Sequence, residues 1–559
     1  MRRFMLGLVV VPLFVACSSD ETNVPVDGGA DGAVADGAAD APGDGAPAPA
    51  PGCPNVGSDP DVAQVLPQAT VDTSYPVQTG KVITVKQGDD LQTAIDGAAL
   101  GDTLELAAGA TFKGPITLPN KTGSGWLVIR TATPDGSFAK PGVRVTPALA
   151  PKMAKIEATG AGGVSTANGA HHVRLVGLEI TPAAGQYVNA LVALNASTTN
   201  VADLPHDIVV DRSYLHADPI GGRRGVALNG KSLAVVDSWL SGFREKGADS
   251  QAIAGWNGPG PFRIVNDYLE GASENVMFGG ADPSIPNLVP SDIQICGNYV
   301  KKDPAWKGGN WVMKNLFELK NARRVLVAGN VFENSFADAQ VGFAILFTVR
   351  NQDGTAPWST VEDVTFAYNV VRHVASGLNV SASDDLHPSQ ETARILFADN
   401  VIDDVNPATF GGQGRPFQFI YGGGKGKAIK IDHNTVTTAD NAALVLGDTA
   451  KYGTGFFFTN NVVARGQYGV FGSGQSEGKS SLDFYLASYT MTKNVFFSAS
   501  GGAATYPAGN FVPATPADVA FAPDLSLGAG SKYKGAATDG KDPGADVPKV
   551  LAATAAAAP

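Results

Sequence analysis

A short segment recurs along this chain from about residue 173 to residue 499. Its copies include VRLVGLEI (173), IVVDRSYL (208), FRIVNDYLEG (262), IQICGNYV (293), VLVAGNVFEN (325), VTFAYNVVRH (364), ILFADNVIDD (395), IKIDHNTVTT (429) and MTKNVFF (491). Each is a run of strand-forming residues, one small polar residue, then another apolar pair. Aligned, the polar column reads Ser213, Ser238, Asp267, Asn298, Asn330, Asn369, Asn400, Asn434, Asn461 and Asn494, spaced from 25 to 39 residues apart. A period of this size marks a solenoid or a propeller. Paired-helix repeats are excluded because the units lack a 3.6-residue apolar period. Propeller blades are excluded because no Asn-Gly or Asp-Gly hairpin recurs in each unit. The expected fold is all-β: short strands stacked in parallel, each coil burying its inward residues against its neighbours. Asn suits a sharp corner because it tolerates left-handed backbone, and stacked amides can bond from coil to coil.

The Asn column and the segment from Val82 to Leu118 (VITVKQGDDLQTAIDGAALGDTLELAAGATFKGPITL) resemble the right-handed parallel β-helix, or pectin-lyase-like, superfamily. The resemblance covers roughly residues 80–500. It implies a short N-terminal capping helix, read here as Asp90 to Ala99, with Asp89 or Asp90 as N-cap and Gly101 as stop. It implies a fold and not an activity, because sites are grafted onto folds.

The 559 residues would ordinarily suggest several domains, but a solenoid lengthens by adding coils. The expected organisation is a signal peptide (1–16), a lipid-anchored disordered linker (17–60), the β-helix (61–500), and a C-terminal cap with a frayed tail (501–559). MRRF followed by LGLVVVPLFVA reads as an export signal. It ends at Cys17 in a context that resembles a bacterial lipoprotein cleavage site, which implies lipidation of Cys17. Ser18 then favours the outer membrane or cell surface, with membrane contact only through the anchor. Residues 18–60 are Ala, Gly, Asp and Pro with eight carboxylates and no Lys or Arg, a composition that cannot bury a core. The net charge of −12 offers no basic footprint for nucleic acid. Three cysteines exclude a disulfide framework. Cys296 reads as a buried small hydrophobe, with a Cys53–Cys296 bridge as the minor alternative. A monomer is expected.

The chemistry is placed on the sheet after the Asn corner, which lines the substrate groove in proteins of the resembled superfamily. Segments such as SQAIAGWNG (250), ENVMFGGAD (274), NLFELKNAR (315) and FAILFTVRN (343) stack there. With Phe317 and Leu319 inward, Glu318 and Lys320 face outward, and so does Arg350 one coil later. Residues 301–324 hold seven Lys or Arg against Asp303 and Glu318, in an otherwise acidic chain. Trp306 and Trp311 lie within that stretch, and Trp256, Trp358 and Tyr421 fall on neighbouring coils. Cations beside aromatic faces suit sugars that carry carboxylates.

The leading reading is a cell-surface polysaccharide lyase on a uronate-containing glycan. Lys320 is the base, Arg350 clamps the substrate carboxylate, and Glu318 completes the cluster. Lys314, Arg323, Trp256, Asn257 and Tyr421 hold the chain. A lysine base requires neighbouring cations to lower its pKa. After Glu274 the chain reads Phe278-Gly279-Gly280, where the lyases of this superfamily carry a Lys-Ser segment. A second reading is hydrolysis by a carboxylate pair drawn from Asp249, Glu274, Asp282, Asp384 and Asp385. A third is non-catalytic glycan binding or adhesion. No metal ligand set is assigned. Calcium is a candidate cofactor, with Asp539, Asp542 and Asp546 as candidate ligands, and Asp384, Asp385 and His387 are a candidate set for an unspecified metal.

Overall fold

A computed structural model describes residues 52–194, 198–498 and 505–558. The export signal, Cys17 and most of the expected linker lie outside the described residues.

Each coil contributes one strand to each of three parallel sheets, of 14, 13 and 12 strands, here called A, B and C. The chain runs from A through the polar corner to B, then to C, and back to A one coil further on. This is the right-handed parallel β-helix. The segments stacked in the sequence reading are therefore the third strand of each coil. The strand directly after the corner belongs to sheet B, as in Tyr299–Lys301 and Val331–Ser335.

The polar column is a continuous ladder. Asn298 Nδ2 donates to Asn330 Oδ1 at 2.9 Å, and the same contact repeats at 3.0–3.1 Å through Asn369, Asn400, Asn434, Asn461 and Asn494. Each Oδ1 also accepts the backbone N–H of the preceding rung, as with Asn330 N to Asn369 Oδ1 at 2.9 Å. The earlier rungs keep only this second bond: Ser238 N donates to Asp267 Oδ1, and Ser213 N to Ser238 Oγ. A further rung, Asn510, accepts from Asn494 at 2.8 Å, so the ladder passes residue 500.

The left-handed residue is not the ladder residue. It is the one before it: Gly177, Arg212, Asp237, Asn266, Gly297, Gly329, Tyr368, Asp399, His433, Asn460 and Lys493 all have φ between 44° and 69°. The amide column is selected by its hydrogen bonds, and the turn by its neighbour.

Inside, aromatic rings stack along the axis. Phe332, Phe366 and Phe397 follow at centroid separations of 5.5 and 4.7 Å, all fully buried. Each such side chain contributes roughly 1.5–3 kcal/mol on burial. The helix Leu91–Gly97 closes the N-terminal end, with Asp90 capping Thr93 N and Leu91 and Ile95 in the core, as expected. At the other end Tyr506 stacks on Phe496 at 4.5 Å, and the helix Lys479–Tyr485 buries Leu482 and Tyr485.

The described segments at either end, from residue 52 and up to residue 558, form two straps; residues 52–60 of the expected linker and the expected frayed tail are docked on the solenoid. From residue 52 to about 78 the chain lies on the outer face of sheet A. Lys430 bonds Asp59 and Asp61 at 2.8 and 2.7 Å, Thr70 bonds Gln294, and Arg174 donates to the carbonyls of Thr73 and Ser74. Cys53 is disulfide-bonded to Cys296, so Cys296 is not the free buried thiol of the main sequence reading. The other strap leaves the last coil and runs back along the corner between sheets A and B. Thr538 meets Asn460, and Asp546 N meets Asp399. The helix Val547–Thr554 then buries Val547 and Val550 against Ala367, Tyr368 and Val401. Ala557 is buried beside Tyr268 and Tyr299. These segments hold enough apolar side chains to dock on a preformed surface, which composition alone does not reveal.

Candidate active site on sheet C

The straps bond to sheet A and to the A–B corner. The outer face of sheet C carries instead a hydrogen-bonded polar row across successive coils. Arg224 and Gln251 are register partners on adjacent coils, as are Met277 and Glu318 further on. Arg224 Nε donates to Gln251 Oε1 at 2.8 Å, and Gln251 Nε2 to Glu274 Oε2 at 2.8 Å. Lys314 Nζ lies 2.6 Å from Asp249 Oδ2 and 3.3 Å from Glu274 Oε1. One coil on, Glu318 accepts from Asn315 Nδ2 at 3.0 Å and Thr348 Oγ1 at 3.2 Å, with Lys320 Nζ at 3.6 Å. These side chains face away from the solenoid interior yet are nearly buried. The turn at Gly279 and Gly280 closes over Met277 and Lys320.

Burial alone would protonate isolated carboxylates. Here the pair is split. Burial and repulsion from Glu274 raise the Asp249 pKa, with Lys314 opposing. Burial also acts to raise Glu274, but Lys314 and Lys320 outweigh it and hold Glu274 below its ordinary value. For Lys314, burial is outweighed by attraction to Glu274 and Asp249, so its pKa is raised. Two carboxylates in contact with one ammonium but biased in opposite directions can divide acid and base roles.

Beneath this row Lys302 is fully buried. Its Nζ donates to the carbonyl oxygens of Gly271, Ala272, Ser273 and Asn315 and to Asn275 Oδ1, all within 2.6–2.9 Å. Burial draws its pKa down to about 7 against the pull of Glu274 and Glu270. This caged lysine fixes the turns that present Glu274 and Asn315.

The structure brings together part of the predicted set. Glu318, Lys320 and Lys314 share one cluster, with Lys314 at its centre rather than in an outlying subsite. The groups around Lys320 are carboxylates, not the cations that a lysine base requires. Arg350 lies one coil on from Lys320, its backbone N–H donating to the Lys320 carbonyl at 2.8 Å. Its guanidinium, however, turns to Asp384 and Asp385 at 2.6 and 2.5 Å. Asp385 is 61% exposed, so this half of the clamp is open to exchange. Trp256 joins the row through Arg224, whose guanidinium lies 5.2 Å from the ring centroid.

Two assignments are corrected, Asn257 and Arg323, and Tyr421 is found half-buried against the core. Asn257 is fully buried and ties loops, donating to Thr198 O and accepting from Ile285 N. Arg323 opens the sheet A strand Ala322–Ala328 and bonds Ser291 Oγ, lining a hollow with Trp358 round the corner from sheet C. Tyr421 packs its edge toward Tyr452 and the core.

Among the other carboxylates, Asp282 does not pair with Glu274. It accepts the N–H groups of Asp353 and Thr355 and joins two loops. His387 bonds Asn351 O. Near the C-terminus Asp542 pairs with Lys534, Asp539 with Lys541, and Asp546 caps a helix, so that carboxylate trio is already engaged. The sequence reading missed Arg224, Gln251, Asn315 and Thr348. Their only sequence signal is their register position.

Three parallel sheets and an interior amide ladder define the chain as a parallel β-helix. No family model matches the sequence, and no curated protein is similar to it. Solved structures with a related chain course include the catalytic unit of a GH87 α-1,3-glucanase from Streptomyces thermodiastaticus, at 13% identity over 79% of this chain and 71% of that one, TM-score 0.47. An alginate lyase from Paenibacillus sp. is 14% identical over 58% of this chain and 97% of its own, TM-score 0.35. A polygalacturonase from Erwinia carotovora is 11% identical over 70% and 96%, TM-score 0.36. Likeness at this level concerns the course of the backbone and does not extend to site residues.

Proposed function

We propose that the protein is a carbohydrate-active β-helix that binds an acidic polysaccharide along sheet C and cleaves it at the Asp249–Glu274–Lys314 cluster. The observation that carries this reading is Lys314 Nζ in contact with two buried carboxylates, 2.6 Å from Asp249 Oδ2 and 3.3 Å from Glu274 Oε1. Lys320 and Arg350 are the cations for a substrate carboxylate, which would exchange with the exposed Asp385. Neutralising that carboxylate acidifies the neighbouring C–H, and β-elimination then needs one group to move the proton. Asp249 in its ionised form, made more avid for a proton by burial and by Glu274, takes it from that carbon in place of Lys320 and returns it to the departing glycosidic oxygen as the C–O bond breaks and the C=C bond forms. Hydrolysis is a second reading, favoured by the same split between Asp249 and Glu274. Calcium would bind where carboxylates outnumber cations, and its effect belongs in the same assay.

We place the protein outside the cytoplasm, on a lipid anchor at Cys17. The Cys53–Cys296 bridge supports export, because disulfides persist in oxidising compartments.

The test is to incubate the protein with a panel of uronate polysaccharides, with and without calcium, while following ultraviolet absorbance and new reducing ends. Both rising together indicates elimination. Reducing ends without absorbance indicates hydrolysis. Retained glycan binding with neither signal indicates an adhesive protein and overturns the catalytic reading.

A further inference from the structure

Three of the seven histidines meet away from sheet C. His171 and His206 open successive strands of sheet A, His171–Val176 and His206–Asp211, and are register partners. Their rings stack at 4.8 Å with 6° between planes. The next residues, His172 and Asp207, both have φ of 52°. Left-handed backbone at the second strand position turns these side chains to the same side as the histidines. His206 Nδ1 is 2.7 Å from Asp207 Oδ2, and His171 Nδ1 is 2.8 Å from His172 Nδ1. One donor atom from each of His172, His206 and Asp207 lies within 4.8 Å of the others. All four residues are part-exposed, so an ion has a path in.

The geometry points to a binding site for a divalent d-block cation such as zinc, held by His172, His206 and Asp207. Imidazole with one carboxylate suits zinc or copper rather than calcium or magnesium, which prefer all-oxygen shells. Tetrahedral zinc places its donors about 3.3 Å apart, so small side-chain rotations close this group on an ion. Metal binding needs neutral imidazole. Two ring nitrogens at 2.8 Å need one proton between them, and an ion can replace it. Trp126, edge-on to His172 at 5.2 Å, walls one side. An ion here would tie two consecutive coils at the corner where sheet C passes into sheet A.

The test uses the full chain, stripped with chelator and titrated calorimetrically with zinc. Saturable binding is expected, and His172→Ala combined with His206→Ala should weaken it at least ~10-fold. His216→Ala, at a histidine that bonds Glu179 outside the group, should leave it unchanged. Absence of zinc binding, or equal binding by the double variant, overturns the site. Should the double variant fail to fold, electron paramagnetic resonance of the wild-type chain with copper decides. Hyperfine structure from two or more imidazole nitrogens supports the site, and an oxygen-only shell overturns it.

Discussion

Lys314 Nζ stands 2.6 Å from Asp249 Oδ2, and both side chains are almost wholly withdrawn from water. Removing the cation would leave Asp249 and Glu274 as buried like charges. Lys314→Met should therefore destabilise the fold by about 3–5 kcal/mol. Adding Glu274→Gln should restore part of that loss, since only one carboxylate then lacks its partner. Urea unfolding of the single and double variants measures both effects.

The ladder makes a second prediction. Asn369 donates to Asn400 Oδ1 and to the carbonyls of Val327 and Ala367, and accepts from Asn330. Asn369→Ala leaves several buried groups unpaired, at about 1–3 kcal/mol each before relaxation. A fall in thermal midpoint larger than for most exposed substitutions is expected, checked by calorimetry.

Asp267 is the one carboxylate in that column. It is fully buried, burial raises its pKa well above the ordinary range, and Oδ2 has no hydrogen-bond partner. The folded state thus binds this proton more tightly than the unfolded state, whose carboxyl has its ordinary value of 3.8. Stability from this group is present below that pH and declines as pH rises toward the folded pKa. Asp267→Asn should remove this slope and raise stability at neutral pH by about 1–3 kcal/mol. Unfolding free energy measured against pH for both proteins checks the sign.

The Cys53–Cys296 bridge spans 243 residues and pins the first strap to sheet A. Reduction, or Cys53→Ala, should cost about 2–4 kcal/mol and expose the segment from residue 52 to 78 to protease. Mass analysis of limited digests before and after reduction reads this directly.

The ladder was legible because its hydrogen bonds demand one residue type at one place in every coil. The turn beside it was not. Its left-handed position accepts Gly177, Arg212, Tyr368 and Lys493 alike, so chemistry leaves no column to read. Strand alternation placed Glu318 and Lys320 on one outward face correctly. It could not foresee that the Arg350 guanidinium would leave Lys320 for Asp384, because backbone period does not set the rotamer of a long side chain. Asp249 precedes its strand, Gln251–Gly255, and its contact with Lys314 spans 65 residues, a separation no local pattern reports. The straps were missed for a related reason: their docking depends on grooves that exist only after the coils have stacked.

Initial rates of cleavage by wild type and Asp249→Asn, on a polysaccharide that the wild type degrades, test the central claim most directly. With Asp249 as the proton-transfer group, kcat falls by at least ~100-fold in the variant, with KM little changed. An Asp249→Asn protein that cleaves at the wild-type rate would contradict that claim.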